Sequence, residues 1–467
     1  MNRGRKFAHF KFEICRDLRT VDLMEWRRAL AVGFWLIMAG IGFVQETPPE
    51  TPAITAEKVN QALQAELFPA TGSVWEEDAD TVAQRLQWPR ESKTTTQGSY
   101  RLYAKETVRL LGARPYSCAL YAEEGKPTQL SLVFANKGDY GNLYNLTSEV
   151  SNDGRRSRSD VQKQEREQKR ALKDEVRNFD IALKADADAI EKALTEVLGP
   201  ANDKATFGQS RDMRERVTRW NWNGTAILLA TPRGEYVVVR IMPAATADAG
   251  GRVARLSDSD LRQMLLKRVE KRDNGDVVIT DIPMVDQGPK GFCVPATWER
   301  YLRYLNIPAD MYVLAMAGGT SLGGGSYITL MAQNVDDLCR QYGRRTEGIS
   351  SAIDIRNLSK YIDEGLPIMW ACFAMDPVEV SIIKRTRERR NVTDWAQWKK
   401  SLEPIRSEAR SIQTDLHSGH LRMIIGYNAT TKEIAISDSW GERAAERWMT
   451  VEEAAATSQG FLTIIKW

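Results

Sequence analysis

The stretch GHLRMIIGYNATTKEIAISDSWG, residues 419–441, has the pattern of a β-hairpin. An apolar run leads into the turn segment NATTK, and a second apolar run follows and ends at Asp438. Antiparallel pairing about a tip near Ala429 places His420 directly opposite Asp438, with their Cβ atoms about 5 Å apart. A carboxylate beside an imidazole fixes the tautomer of the ring, as in catalytic triads. The hairpin therefore predicts a catalytic base, His420, with an orienting acid, Asp438.

A second stretch, DQGPKGFCVPATWERYL at residues 286–302, contains the candidate nucleophile, Cys293. Apolar residues recur at helical spacing after Cys293, and Pro295 suits a first helical turn, where its missing N–H does no harm. The positive end of a helix lowers the pKa of a thiol. Position alone does not separate a nucleophile from a buried thiol, but the hairpin supplies the base that a nucleophile needs. His417 is the other candidate base, but it precedes the strand and lacks an opposed carboxylate.

These motifs resemble those of the papain-like cysteine peptidases and, within that fold, the C39-like group. Gln287 stands six residues before Cys293, at the place of the oxyanion-hole glutamine. The segment HLRMIIGY matches the strand after the catalytic histidine, and DSWG stands where papain-type enzymes have Asn-Ser-Trp-Gly. Two departures are Asp438 in place of asparagine and GFCVPA in place of the papain signature around the nucleophile. The resemblance covers residues 281–467, and papain's substrate preferences do not carry over.

The resemblance implies a cysteine peptidase that cleaves peptide or isopeptide bonds. In it Cys293 attacks the carbonyl, His420 transfers the proton, Asp438 orients the ring and Gln287 helps to hold the oxyanion. The expected fold is α+β, with a helix carrying the cysteine packed on an antiparallel sheet carrying the histidine and aspartate. The expected partner is a peptide or protein substrate, and no metal or cofactor is implied.

Three alternative functions are compatible with the sequence. Two of them use the peptidase domain, and the third uses the N-terminal domain. A cell-wall amidase or an acyltransferase would employ the same triad, and a peptide-binding module would keep the fold without turnover. In the third alternative the N-terminal domain carries the main function and the peptidase domain processes or regulates it. The intact set of polar residues favours catalysis over simple binding.

The glycine-rich segment GGTSLGGGS, residues 318–326, predicts a loop beside the cleft. Glycine lets a substrate backbone approach closely, so Gly323, Gly324 and Gly325 are candidate substrate-binding residues, together with Trp440. A phosphate-binding loop is disfavoured because no Gly-Lys-Ser or Gly-Lys-Thr follows. Trp440 is also expected to shield the bond between the histidine and the aspartate from water.

The N-terminus has the pattern of an export signal. Residues 1–28 carry eight Lys or Arg and four Asp or Glu, and residues 29–44 form an uncharged apolar run. This run is shorter than the ~20 residues that a spanning helix needs, so residues 1–45 are expected to be a cleaved signal, with a retained membrane anchor as the alternative. Met24 is an alternative start, and the Pro-rich residues 46–55 are a candidate tether. The expected location is periplasmic or extracellular.

The charge of the chain excludes a nucleic-acid partner. The net charge is +3 over 467 residues. Without the four surplus positive charges of the leader, the remainder is about −1, which gives no electrostatic attraction for phosphates. A membrane contact is expected only through the leader, if it is uncleaved.

The rest of the chain divides into an α+β domain at residues 56–245, a small-residue linker at 246–256 and the peptidase domain at 257–467. A single apolar stripe predicts a long helix over 157–198, which packs on the neighbouring sheet or, alternatively, on a coiled-coil partner. A second helix is predicted over about 257–271.

Other features have structural explanations that compete with functional ones. Trp220 and Trp222 share one face of a predicted strand, which is more typical of a core than of a binding platform. The charged segment 376–416 is a helical insertion, either a lid or a solvated excursion. Cys339 and Cys372 are a possible disulfide pair or two separate buried thiols.

Overall fold

The computed structural model describes residues 54–140 and 158–467. The expected leader, residues 1–45, and all but the last two residues of the expected tether lie outside these ranges. Ile54–Trp467 forms one compact unit. Among the helices of the described ranges, none is both long and apolar enough to cross a membrane.

The fold mixes helices with antiparallel sheets, as the α+β prediction requires. The helices of the described chain are α1 (Ala56–Leu63), α2 (Ala79–Leu86), α3 (Arg158–Leu198), α4 (Ala244–Asp248), α5 (Asp258–Lys267), α6 (Cys293–Tyr304), α7 (Met311–Ala317), α8 (Ile328–Gln341), α9 (Ile355–Ile362), α10 (Asp376–Arg389), α11 (Trp395–Ser401), α12 (Glu403–Ala409) and α13 (Val451–Thr457). The strands are β1 (Arg90–Lys93), β2 (Gln97–Tyr103), β3 (Ser117–Glu123), β4 (Lys126–Asn136), β5 (Asp203–Phe207), β6 (Glu215–Trp222), β7 (Thr225–Ala230), β8 (Tyr236–Pro243), β9 (Val269–Lys271), β10 (Asp276–Ile279), β11 (Arg345–Gly348), β12 (Ile368–Phe373), β13 (Gly419–Asn428), β14 (Glu433–Ser437), β15 (Arg447–Thr450) and β16 (Ser458–Lys466).

The first sheet is antiparallel, in the order β1-β2-β3-β4-β8-β7-β6-β5. Helix α3 matches the prediction over 157–198 and contacts β4, β7 and β8. Its apolar stripe is buried towards the C-terminal end, at Ile190 and Leu194, whereas Leu172 and Val176 are partly exposed. The predicted packing of the helix on the sheet is therefore confirmed for its C-terminal part.

The two tryptophans of β6 belong to the core. Trp220 is buried, and its Nε1 donates to the carbonyl of Gly199 at 3.1 Å. Trp222 packs edge-on against Phe68 and donates to the carbonyl of Ile54 at 3.1 Å. The structural explanation of these residues is confirmed.

The second sheet has the order β11-β16-β12-β13-β10-β9, with β14 and β15 attached to β13. Strands β12 and β10 pair with one edge of β13, and β14 pairs with the other. Helix α6 packs on β13, and the Thr297 hydroxyl donates to the carbonyl of Leu421 at 3.0 Å. The predicted helix at 257–271 is shorter than expected: α5 ends at Lys267, and Val269–Lys271 pairs with β10 as strand β9 although Val269 continues the helical spacing of Leu261 and Leu265.

Buried contacts join the first sheet to α6 and the loops around it. Arg101 of β2 binds Glu91 at 2.6 Å and lies 3.7 Å from Glu299 of α6. Ser131 of β4 donates to Asp310 at 2.8 Å. One apolar cluster includes residues from β4, β7 and β8 as well as from α6 and α7. The domain boundaries drawn from the sequence stay a prediction, because the two parts share this core.

The predicted insertion at 376–416 forms α10, α11 and α12. Trp398 of α11 is largely buried, and its Nε1 donates to Glu433 of β14 at 3.1 Å. Trp395 packs under the guanidinium of Arg389, 4.8 Å from the ring centroid. The insertion thus packs against the second sheet on the side where β14 lies.

Candidate active site

Cys293 is the first residue of α6, as the sequence predicted. The preceding Phe292 is buried and packs against Tyr312, with ring centroids 5.5 Å apart, and its carbonyl accepts the N–H of Ala296. This anchors the turn that leads into the helix. The rest of the first turn is buried, whereas Cys293, at the N-terminal end of the helix, is partly exposed.

The hairpin brings His420 and Asp438 together, although not in the predicted register. Strands β13 and β14 pair as Asn428↔Glu433, Tyr427↔Ile434 and Gly426↔Ala435, and then, after a one-residue shift, as Ile424↔Ile436 and Met423↔Ser437. The predicted tip near Ala429 is wrong, because the turn spans 429–432 and β13 contains an extra residue, Ile425. Continuing this register by one pair places Asp438 opposite Arg422. Asp438 is therefore a diagonal neighbour of His420. The side chains still meet, with His420 Nε2 2.7 Å from Asp438 Oδ1.

Two arginines enclose the Asp438 carboxylate. Arg422 Nε lies 3.0 Å from Oδ1, and a guanidinium nitrogen of Arg447 binds Oδ2. All three side chains are buried. Burial raises the pKa of Asp438, but the positive charges of Arg422 and Arg447 and the hydrogen bond from His420 lower it well below its ordinary range. Asp438 is therefore a carboxylate at neutral pH.

Glu379 of α10 closes this cluster from the opposite side. Its Oε1 accepts a hydrogen bond from Arg422 at 2.7 Å, and its Oε2 accepts one from Arg447 at 2.8 Å. Asp438 and Glu379 thus share two guanidinium groups in a closed arrangement, which we call the arginine box: Glu379, Arg422, Asp438 and Arg447. The sequence prediction missed three of these residues. The available signal was an arginine inside the otherwise apolar strand HLRMIIGY.

The thiol and the imidazole influence each other. Burial raises the pKa of Cys293, but the hydrogen bond to His420 and the positive charge of that ring lower it, and the net direction is down. Burial lowers the pKa of His420, but the hydrogen bonds to Asp438 and Cys293 raise it, and the net direction is up. A thiol with a lowered pKa beside an imidazole with a raised pKa favours a thiolate–imidazolium pair.

Trp440 covers the bond between His420 and Asp438. Its ring lies 4.7 Å from the His420 ring, centroid to centroid, with 31° between the planes. The guanidinium of Arg447 lies 5.0 Å from the Trp440 centroid. Trp440 is 38% exposed, so it shields the pair on one side and faces the surroundings on the other.

Gln287 lies in the loop before α6 and is fixed by its backbone, whose N–H donates to the carbonyl of Ser439 at 2.9 Å. This bond ties the predicted oxyanion residue to the segment that carries Asp438. The Oε1 atom of Gln287 is buried and has no hydrogen-bond partner among the described residues. The contribution of this side chain to an oxyanion hole stays a prediction.

The glycine loop lies against the turn that precedes the thiol. Gly324 pairs with Gly291 in a parallel bridge, and the N–H of Gly325 donates to the Gly291 carbonyl at 3.0 Å. At Gly324, φ is +103°, and a Cβ atom would lie 2.8 Å from the Gly291 nitrogen. Gly323 donates its N–H to the carbonyl of Lys137 at 3.2 Å. The loop borders the Cys293 turn, and its predicted binding of substrate is a proposal.

The other candidates lie elsewhere. His417 is exposed in a short turn at Leu416–Ser418. Cys118, Cys339 and Cys372 are buried free thiols, so the predicted alternative of a bond between the last two is not formed. In the described ranges, no group of three or more His, Cys, Asp or Glu side chains is arranged to hold a metal ion.

The comparison with known proteins agrees with the geometry. The model of the Peptidase_C39 like family matches residues 279–463. The match includes α6, β13 and β14, which position Cys293, His420 and Asp438. No curated protein matches the chain. The match supports a C39-like, papain-like peptidase domain over residues 279–463.

Proposed function

We propose that the protein is a cysteine peptidase that cleaves peptide or isopeptide bonds through Cys293, His420 and Asp438. The observation that carries the proposal is the spatial order of the three side chains at the site. The thiol at the start of α6 and the His420 ring are close enough for each to shift the pKa of the other, and His420 Nε2 lies 2.7 Å from Asp438 Oδ1. This order of nucleophile, base and orienting acid is the arrangement that activates a thiol.

In the proposed reaction, the Cys293 thiolate attacks the carbonyl carbon and forms a carbon–sulfur bond. The oxyanion is held by the backbone N–H of Cys293 and the side-chain amide of Gln287. The His420 imidazolium gives its proton to the departing amine as the carbon–nitrogen bond breaks. Water then attacks the thioester, His420 takes a proton from it, and the thiol is released with a new carboxylate.

The substrate is proposed to lie along the glycine loop, with Trp440 on the other side of the catalytic pair. Gly323 and Gly325 have φ values of +82° and +81°, and nothing lies within 4 Å of a Cβ atom placed at Gly325. At Gly325, a substrate backbone can therefore approach without meeting a side chain of this loop.

The first experiment tests the thiol. A thiol-directed electrophile should label Cys293 faster than any other cysteine, and His420→Ala should slow this labelling at least tenfold because the base is lost. His417→Ala is the matched control, a nearby exposed histidine whose loss should leave the rate unchanged. Labelling of Cys293 no faster than that of Cys339 would contradict the proposal.

The second experiment identifies the reaction. The purified protein is incubated with a peptide library, and the products are analysed by mass spectrometry. Hydrolysis gives a new amine terminus, whereas acyl transfer gives a crosslinked mass, so the experiment separates the peptidase from the acyltransferase. Fast labelling of Cys293 without any product would favour the peptide-binding module.

Export is a separate part of the proposal and rests on the composition of residues 1–45. The expected result is a mature N-terminus near residue 46 in the periplasmic or extracellular fraction, read by N-terminal sequencing. An intact leader in the membrane fraction would instead identify residues 29–44 as an anchor.

A further inference from the structure

We propose that Glu379 is a positioning residue of the active site, which holds Arg422 and Arg447 against Asp438 and so sets how strongly Asp438 binds the protonated His420. This inference rests on the proposed function, since it assigns a role within that site. It also gives the inserted helix α10 a function that its sequence did not reveal.

The geometry of the arginine box supports this role. Each oxygen of Glu379 binds one arginine, at 2.7 Å to Arg422 and 2.8 Å to Arg447, and each arginine also binds Asp438. Each guanidinium lies between two carboxylates, so Glu379 fixes the position from which each arginine reaches Asp438. The contact is between elements, because Glu379 lies on α10 while the arginines lie on β13 and β15.

The charges of the box explain why a second carboxylate is needed. Asp438 with two arginines has a net charge of about +1, which would oppose a positive imidazole beside it. Glu379 brings the box to about zero, so His420 can be protonated next to it. Without Glu379, the positive charges of the two arginines would exceed the negative charge of Asp438, and His420 would bind its proton less tightly.

The other groups around His420 do not supply this balance. Among the described residues, the titratable or charged side chains that act on His420, Cys293 or Asp438 are Cys293 and Arg300 of α6, Cys372 of β12, Arg422 of β13, Asp438 after β14, Arg447 of β15 and, through the two arginines, Glu379 of α10. Burial raises the pKa of Cys372 to about 12, so this thiol is neutral. Glu379 is thus the negative charge in this set that is not itself in contact with the imidazole or the thiol.

The test measures the proton affinity of His420 directly. The chain contains only three histidines, so histidine-selective ¹³C labelling and NMR give a resolved pH titration of each ring. Glu379→Gln should lower the His420 midpoint by about one unit, a tenfold loss of proton affinity, because the box becomes positive. Arg447→Met should raise the midpoint, because the box becomes negative.

The opposite signs separate positioning from a merely structural role. Loosening the fold would move both variants in the same direction, and Glu379→Asp, which keeps the charge, should restore most of the wild-type midpoint. Glu453→Gln is the matched control: Glu453 is buried and binds Arg385 of the same helix α10 at 2.7 Å, with no contact to Asp438. It should leave the midpoint unchanged.

Each outcome decides the inference. A lowered midpoint in Glu379→Gln with a raised one in Arg447→Met supports it, and unchanged or equal shifts overturn it. If one of these variants does not fold, the direction observed in the other decides. The readout does not use turnover, so a chain that cleaves no peptide can still pass this test, and an active peptidase can fail it.

Discussion

Replacing Glu299 with glutamine should change how the stability of the protein depends on pH. Glu299 lies on α6 and is fully buried, 3.3 Å from Arg303 and 3.7 Å from Arg101. Burial raises the pKa of Glu299 from its ordinary 4.5 to about 7, although Arg101 and Arg303 oppose the rise. A carboxyl group with a higher pKa in the folded state binds its proton more tightly there. Its contribution to stability is therefore complete below pH 4.5 and is lost as the pH rises through 7.

The size of this loss follows from the two pKa values. A difference of about 2.5 units corresponds to about 3 kcal/mol of unfolding free energy. Glutamine has no such proton to lose, and its oxygen can still accept the N–H of Met311, which Glu299 binds at 2.8 Å. The unfolding free energy of the variant minus that of the wild type should therefore increase by about 3 kcal/mol between pH 4.5 and pH 8.5, which means that the variant becomes relatively more stable.

The assay is urea unfolding followed by circular dichroism at a series of pH values. Subtracting the wild-type curve removes the contributions of other groups, including that of Asp438, whose lowered pKa gives a stabilisation that is lost as the pH falls. Glu106→Gln is the control, since its side chain is 86% exposed and the substitution should give a curve parallel to the wild type. If the Glu299→Gln curve is also parallel, the reasoning about burial is refuted.

Three further predictions concern the site and its supports. In mass-spectrometric mapping of alkylated protein at pH 7, Cys293 should be modified at least tenfold faster than the buried thiols, whose pKa values burial raises; equal rates would contradict the thiolate assignment. Gly324→Ala should cost about 1–3 kcal/mol of stability and slow the alkylation, because its Cβ would lie 2.8 Å from the nitrogen of Gly291. Gly325→Ala, with a positive φ but open space, should cost less, and equal thermal unfolding midpoints for the two variants would count against the contact. Thr297→Val should lose about 1 kcal/mol in the same unfolding assay, because it removes the 3.0 Å bond from α6 to the sheet; no loss would show that this bond contributes nothing.

The sequence predicted the elements whose signals are local. The start of α6 at Cys293 follows from the glycine-rich turn and from apolar residues at helical spacing, and β13 and β14 follow from two apolar runs around a turn. The pairing of His420 with Asp438 was also predicted, since both lie near the ends of those strands. These features depend on residues that are close in the chain.

The rest depends on contacts between distant segments. Arg422 lies in an apolar strand, and its burial becomes intelligible only when Glu379, 43 residues away, is placed beside it. The register error has a similar cause, since a bulge changes the pairing without changing the apolar pattern. Gly426 was the available signal, because a Cβ atom there would lie 2.5 Å from the carbonyl of Val277.

The unpaired residue in β13 decides which residue of this strand lies opposite Asp438. With the pairing found next to the turn, Asp438 would face Met423, whose side chain lies on the opposite side of the sheet from His420. Because Ile425 is left unpaired, the residue opposite Asp438 is Arg422 instead of Met423, and Arg422 lies on the same side of the sheet as His420. A hairpin with the same residues but with Ile425 paired would keep every member of the triad and most of its apolar core, yet its acid and base would point to opposite faces. The presence of the catalytic residues in a sequence is therefore a poor guide to activity in such a hairpin unless the strand pairing is known as well.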